Sequence, residues 1–224
     1  MKLSKRLQAI YDMVPSGVVA DVGSDHGKLI ISLFENGVIT KGYAIENKKG
    51  PYDRLVKAID EANATGITPM LSDGISELPS DVNIVVIAGM GGFNVIDILK
   101  KNPRKLKNVG TIIVDAHNAI PELRKQVCKM GYVIADEDIV YESGVYYEII
   151  KFIAGEAIYL DDPDLEFGPI LRNEKSLTFK EKYQSRINEI DNLLQTKKIP
   201  ESKVKKLNLE KERIRSILWK PEVY

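Results

Sequence analysis

Across the first 155 residues short apolar runs alternate with longer amphipathic ones, a pattern that confines the chain to a parallel sheet covered by helices. The apolar runs predict strands at Val18–Val22, Gly42–Glu46, Thr68–Ser72, Asn83–Ala88 and Thr111–Asp115. Between them the spacing predicts helices from Gly27 to about Asn36, and over Pro51–Ala64, Phe93–Lys100 and Pro121–Met130. The last opens with proline where a missing N–H costs nothing. Leu3–Met13 reads as a further helix, with Leu3, Leu7, Ile10 and Val14 on one face.

After Gly131 the pattern changes. Tyr132–Tyr141 and Val145–Ala154 are strand-like runs joined by Glu142-Ser143-Gly144, which predicts a hairpin. Five parallel strands closed by a hairpin depart from the dinucleotide-binding arrangement, whose sixth strand is parallel. They match the Rossmann-like class I methyltransferase sheet, which ends in an antiparallel strand, so the expected fold is α/β of that kind. Residues 1–155 form this expected domain and 156–172 a linker, marked by Asp161-Asp162-Pro163-Asp164 and Gly168-Pro169. Residues 173–224 read as an antiparallel helical hairpin, a small coiled coil. Its first helix carries Leu177, Tyr183, Ile187, Ile190 and Leu194, and its second Val204, Leu207, Ile214, Ile217 and Leu218. Ile199-Pro200-Glu201 breaks between them.

The 32 basic and 32 acidic side chains cancel, but not locally. From Leu171 onward there are 14 Lys+Arg against 8 Asp+Glu, a net of +6, leaving −6 on the first 170 residues. A basic appendage on an acidic body can meet a polyanion; it can equally be a solvated lysine-rich helix pair. Ile84–Ala88 is the longest uninterrupted apolar run, far short of the roughly 20 residues of a membrane span. The basic start, Lys2, Lys5 and Arg6, is followed by no signal-peptide hydrophobic core. Cys128 alone permits no internal disulfide, which fits a reducing cytosol, so a cytoplasmic protein without membrane contact is expected. The two histidines, His26 and His117, have no metal-ligand spacing, and no metal is expected.

Ligands of open α/β sheets bind at the carboxyl ends of the strands. After the first strand comes Asp21-Val22-Gly23-Ser24-Asp25-His26-Gly27. Gly23 allows a tight turn and close approach, while the acidic residues disfavour a pyrophosphate. An acidic loop suits a cation, and S-adenosyl-L-methionine carries a sulfonium and an ammonium group. Ser24 or Asp25 can instead simply cap the next helix. Glu46, ending the second strand, is placed to accept from both ribose hydroxyls, with Asn47 beside it. Asp73-Gly74 follows the third strand, where an aspartate can accept from the adenine amine. Gly89-Met90-Gly91-Gly92 follows the fourth, where small residues leave room for the transferred methyl and its acceptor. Singly these read as a surface charge, a turn and close packing; on successive strand ends they make a cofactor site.

These residues resemble the bacterial tRNA (adenine(22)-N1)-methyltransferases, TrmK-like enzymes of the S-adenosylmethionine-dependent class. The resemblance rests on Leu3-Ser4-Lys5-Arg6-Leu7, Asp21 to His26, Glu46 with Gly50-Pro51-Tyr52, and Ile87 to Gly92. Tyr147-Glu148-Ile149 and Phe167-Gly168-Pro169 also look like family segments. It implies a cofactor pocket lined by Asp21, Gly23, Asp25, His26, Glu46, Asp73, Gly74 and Ala88 to Gly91, and a coiled coil that helps hold tRNA. Three places depart from the family pattern. Gly27-Lys28-Leu29-Ile30 stands for Ala-Tyr-Leu-Pro, Ile45 for glycine, and Asp115-Ala116-His117 for Gln-Pro-Asn.

Neutral adenine N1 carries an in-plane lone pair and no proton, so methylation there needs positioning and no general base. Asp25 or Asp115 could hold the exocyclic amine and stabilise the cationic product; His26 could stack on the flipped base, and His117 could meet its edge. The tRNA surface would combine Lys2, Lys5 and Arg6 with Lys180, Lys182, Arg186, Lys203, Lys205, Lys206, Arg213 and Arg215. No obligate protein partner is evident. Two other readings fit the same residues: a methyltransferase acting on another RNA position or a small molecule, and a non-catalytic RNA-binding protein that keeps the pocket.

Overall fold

The computed structural model describes residues 2–156, 158–195 and 199–219. They form two compact units, divided after Pro169.

The first unit is built on one seven-stranded sheet. Its strands are β1 (Val18–Val22), β2 (Lys41–Glu46), β3 (Ile67–Leu71), β4 (Ile84–Met90), β5 (Thr111–Ala116), β6 (Tyr132–Glu142) and β7 (Val145–Ala154). They lie in the order β3-β2-β1-β4-β5-β7-β6, with β1 to β5 parallel and β7 antiparallel to both neighbours. The antiparallel strand is therefore the second arm of the hairpin, inserted between β5 and β6. Glu142 pairs with Val145, which leaves Ser143 and Gly144 as a two-residue turn. Both have positive φ, 51° and 85°, the condition for a turn whose twist matches its strands.

Among the described residues six α-helices accompany the sheet: α1 (Lys5–Met13), α2 (Lys28–Glu35), α3 (Lys49–Glu61), α4 (Gly92–Lys101), α5 (Ile120–Lys129) and α6 (Asp162–Phe167). Helix α1 begins at Lys5 because the Ser4 hydroxyl accepts the Leu7 N–H and caps it there. One apolar cluster joins Ile10 of α1, Ile30 and Leu33 of α2 and Leu55 of α3 to Val19, Ala44, Val86, Ile113 and Ile149. Each such buried branched chain contributes roughly 1.5–3 kcal/mol. Side chains alternate along a strand, so Val85, Ile87, Ile112 and Val114 are buried toward the opposite face. There α4 packs on β4, β5 and α5.

The stretch expected as a linker carries α6, begun by a capping box in which Asp161 and Asp164 each accept the other's backbone N–H. The helix is pinned to α5 by Arg124. This fully buried guanidinium donates to Glu137 at 2.8 Å, to Glu148 at 2.6 Å and to the Leu165 carbonyl at 2.9 Å. Burial alone would lower its pKa, but Glu148 and Glu137 hold it above the ordinary range.

The second unit contains α7 (Leu171–Glu174), α8 (Leu177–Leu194) and α9 (Glu201–Leu218). Helix α8 buries Phe179, Tyr183, Ile187 and Ile190, and α9 buries Leu207, Ile214 and Ile217, at the three-, four- and seven-residue spacings of a two-helix seam. Leu177, expected in the seam, is 73% exposed; the buried row starts instead at Phe179, whose N–H the Ser176 hydroxyl accepts. Arg186 pairs with Glu210 at 2.7 Å, and Lys211 pairs with Asp191, tying the helices antiparallel. Residues 220–224 of the expected hairpin lie outside the described residues.

Candidate active site

Strand order reverses between β1 and β4, and their carboxyl ends open a crevice there. Gly23, just past β1, has φ 76° and donates its N–H to the Ile45 carbonyl. The positive φ favours glycine here, and a Cβ would lie 2.5 Å from the Met90 methyl, so the flexible Met90 side chain would have to move aside. Gly23 and Met90 border a cleft of about 260 Å³ whose walls include Glu46, Asn47, Ser72, Asp73, Gly74, Asn94, Asp97 and Lys101. A smaller pocket of about 180 Å³ also touches Gly23 and is lined by Arg6, Asp21, Ser24, Asp25, His26, Lys28 and Ala88.

The carboxylates of these walls differ sharply. Glu46 is buried and accepts the Asp25 N–H at 2.5 Å, so it braces the loop after β1 as well as facing the cleft. Asp21 is buried and accepts from the Ser24 hydroxyl at 2.6 Å. Burial pushes its pKa up to about 6, Glu46 adds to the rise, and the Ser24 bond opposes it. Asp25 is exposed at φ 46°, with His26 Nε2 and Arg54 each 3.7 Å from its carboxylate. Asp73 is exposed above buried Gly74.

At the ends of β4 and β5 the ladder slips at Gly89: Ala88 pairs with Asp115, and Met90 with Ala116. This bulge, at φ 75°, bends β4 beside a second cluster. Asp115 is completely buried; its Oδ2 accepts from Arg6 Nη1 at 2.9 Å, and its Oδ1 has no partner among the described residues. Burial raises its pKa, against the pull of Arg6 and His117. The Arg6 guanidinium lies 5.1 Å from the centre of the Tyr147 ring, which meets the His117 ring edge-on at 6.1 Å. His117 is exposed and its N–H donates to the Met90 carbonyl, while the Asn118 side chain accepts the Gly92 N–H at 3.0 Å.

Residues 19–218 match the family described as TrmK, tRNA (adenine(22)-N(1))-methyltransferase. The chain belongs to the TrmK family. The Bacillus subtilis (strain 168) tRNA (adenine(22)-N(1))-methyltransferase is 29% identical over 191 residues, covering 82% of this chain and 80% of the relative. The crystal structure of the Bacillus subtilis M1A22 tRNA methyltransferase TrmK superposes with a TM-score of 0.84 at 26% identity, covering 97% of this chain and 99% of that one. Streptococcus pneumoniae Sp1610, solved in complex with S-adenosyl-L-methionine, gives 0.89 at 31% identity and covers 97% and 100%.

As a TrmK family member the chain is an S-adenosylmethionine-dependent tRNA methyltransferase of the Rossmann-like class. Of the residues anticipated for the cofactor, Gly23, Glu46, Asn47, Asp73, Gly74 and Met90 line the larger cleft. Asp21, Ser24, Asp25 and Ala88 line the smaller pocket with His26. Gly89 and Gly91 line neither: Gly89 forms the bulge and Gly91 precedes α4. Sequence reasoning missed Asn94, Asp97, Ile98 and Lys101, which face the cleft from α4. Their three- and four-residue spacing was the available signal.

Asp115, expected beside the base, is completely buried and paired with Arg6. Arg6 correspondingly leaves the expected outer cationic face. Lys180, Lys203, Lys205, Lys206, Arg213 and Arg215 are exposed on the hairpin, although Arg215 pairs with Glu212 at 3.0 Å. Arg186 is engaged by Glu210 and Glu189, and Lys182 lies over the Tyr183 ring. Charge in a sequence does not reveal which cations are already held by intramolecular partners. Lys2 and Lys5 are exposed on the first unit.

Proposed function

We propose that this chain methylates N1 of adenine 22 in tRNA, in the cytoplasm, and that the crevice between β1 and β4 holds the cofactor. The observation that carries the reading is the family match over residues 19–218, joined to a strand-end crevice whose donor set suits that cofactor. Its walls hold buried Glu46 and exposed Asp73, and the adjoining smaller pocket holds buried Asp21, a set that favours a cation and hydroxyl or amine donors and repels phosphate. Glu46 and Asn47 would take the ribose, Asp73 and Gly74 the adenine, and Asp21 with Gly23 the amino-acid end. When bound, the cofactor supplies an electrophilic methyl group on a sulfonium.

The remaining work falls to the protein. The acceptor nitrogen has no proton to lose, so the side chains orient the base and exclude water, a contribution of roughly 7–11 kcal/mol. Asp25 and His26, exposed at the mouth of the smaller pocket, would meet the incoming nucleotide. The hairpin cations would hold the phosphate backbone and set no sequence preference.

Calorimetric titration with S-adenosylmethionine, followed by labelled-methyl transfer to tRNA with mapping of the modified base, tests this. Tight binding with transfer to adenine 22 is expected, and Asp25→Ala should retain binding better than transfer. Transfer to another base would replace the acceptor; binding without transfer would favour a retired enzyme. Reversing Lys203, Lys205 and Lys206 should weaken tRNA binding and reduce its salt slope by about 0.7 for each phosphate no longer neutralised, with cofactor affinity unchanged.

A further inference from the structure

Arg6 and Asp115 sit 109 positions apart in sequence and meet beside the smaller pocket, which Arg6 lines. Neither lines the larger cleft. Asp115 is fully buried, so no substrate touches it while Arg6 is in place. Arg6 keeps 24% of its side chain exposed and lines the smaller pocket beside Asp25, His26 and Ala88. Its plane is held twice, by the carboxylate at 2.9 Å on one edge and by the Tyr147 ring 5.1 Å away. Gly89 leaves the space next to it open: a Cβ there would sit 3.4 Å from Arg6 Nη1 and 4.0 Å from His117 Nε2.

A guanidinium fixed against an aromatic ring offers its free face and remaining N–H groups to a flat partner. Unpaired nucleobases are commonly stacked on arginine planes in this way. Such a cation would ordinarily oppose methylation, because the product base is itself cationic. The buried carboxylate directly behind Arg6 removes that opposition by making the pair neutral overall. We infer that Arg6 is the platform on which the acceptor nucleobase stacks, and that Asp115 is a positioning residue that acts through Arg6. This inference rests on the tRNA methyltransferase reading and names the side chain that receives its substrate.

The test separates a base platform from a phosphate contact. Arg6→Lys keeps the charge beside Asp115 but removes the plane; Arg6→Ala and Asp115→Asn break the pair from either side. For each variant, kcat and KM for tRNA, the salt slope of tRNA binding, cofactor affinity and the melting temperature are measured. The expected result for Arg6→Lys and Arg6→Ala is a fall in kcat of about 10- to 100-fold, the range of one missing base stack, with salt slope and cofactor affinity unchanged. Asp115→Asn should lower kcat similarly, and the double variant Arg6→Lys/Asp115→Asn should be no worse than either single one.

Full kcat in Arg6→Lys would overturn the platform. So would a salt slope reduced by about one with kcat intact, the mark of a phosphate contact. Additive losses in the double variant would separate Asp115 from Arg6 and overturn its positioning role. Because an unpaired buried carboxylate can destabilise the fold, Arg6→Lys, which retains the charge, decides the matter if Arg6→Ala melts early. Wild-type protein that transfers no methyl to tRNA would remove the functional reading itself; active wild type with unaffected variants would remove this inference alone.

Discussion

The two pockets that meet at Gly23 are built in opposite ways. The larger presents its charge openly: Asp73 and Asp97 are exposed on its walls beside Lys101, and Glu46 accepts a backbone N–H. The smaller is lined by Arg6, whose charge is balanced by the completely buried Asp115 behind it, while Asp25 stays exposed at its edge. A small cation is best held by fixed anions that face it. A base that becomes cationic only on reaction is better served by a flat, neutralised surface to stack on.

Glu46→Ala should break the first arrangement most completely. It removes a wall carboxylate and leaves the Asp25 N–H without its acceptor, and the expected loss of S-adenosylmethionine affinity is about 100-fold by calorimetry. A loss under about threefold would move the cofactor elsewhere in the crevice.

Asp21 should sharpen the contrast through pH. With its pKa at about 6 it is ionised at pH 7 and mostly neutral at pH 5. Affinity for the cationic cofactor should therefore fall as pH drops across that interval, by up to about tenfold, and Asp21→Asn should flatten the profile. The stability effect runs the other way. Because the folded pKa lies above the ordinary 3.8, stability is highest below that value and is lost as pH rises toward 6. Asp21→Asn should thus stabilise the cofactor-free protein at pH 7, by up to about 3 kcal/mol in thermal or urea unfolding. A destabilised Asp21→Asn would contradict the burial argument.

Gly89→Ala tests the second pocket with the smallest change. The left-handed backbone there costs an alanine about 1–2 kcal/mol, and the added methyl would touch Arg6. Melting temperature should drop by several degrees and kcat by a few-fold, with cofactor affinity held. Equal losses in cofactor affinity would show that the two pockets are less independent than their walls suggest.

The strands are the most legible part of the sequence. The apolar run Val18–Val22 coincides with β1, and the other parallel strands agree to within two residues, because runs buried on both faces have few alternatives. The carboxylates at successive strand ends are legible for the same reason: the fold decides where strands stop. What the sequence hides is pairing across distance. Nothing near Arg6 announces Asp115, and a one-residue slip at Gly89 alters no hydrophobic pattern. The hairpin shows the same limit on a smaller scale. Leu177 and Phe179 are both apolar near the start of α8, and only the Ser176 cap and the packing select Phe179.

The Arg124 cluster has a consequence for how this sequence can vary. One buried arginine balances two carboxylates and also holds the Leu165 carbonyl. Losing the arginine alone would take the shared buried cation from both carboxylates, a cost of about 3–5 kcal/mol, whereas exchanging all three for well-packed apolar residues can be neutral or better. Positions 124, 137 and 148 are thus closed to stepwise drift, so they should be inherited, and lost, as a set.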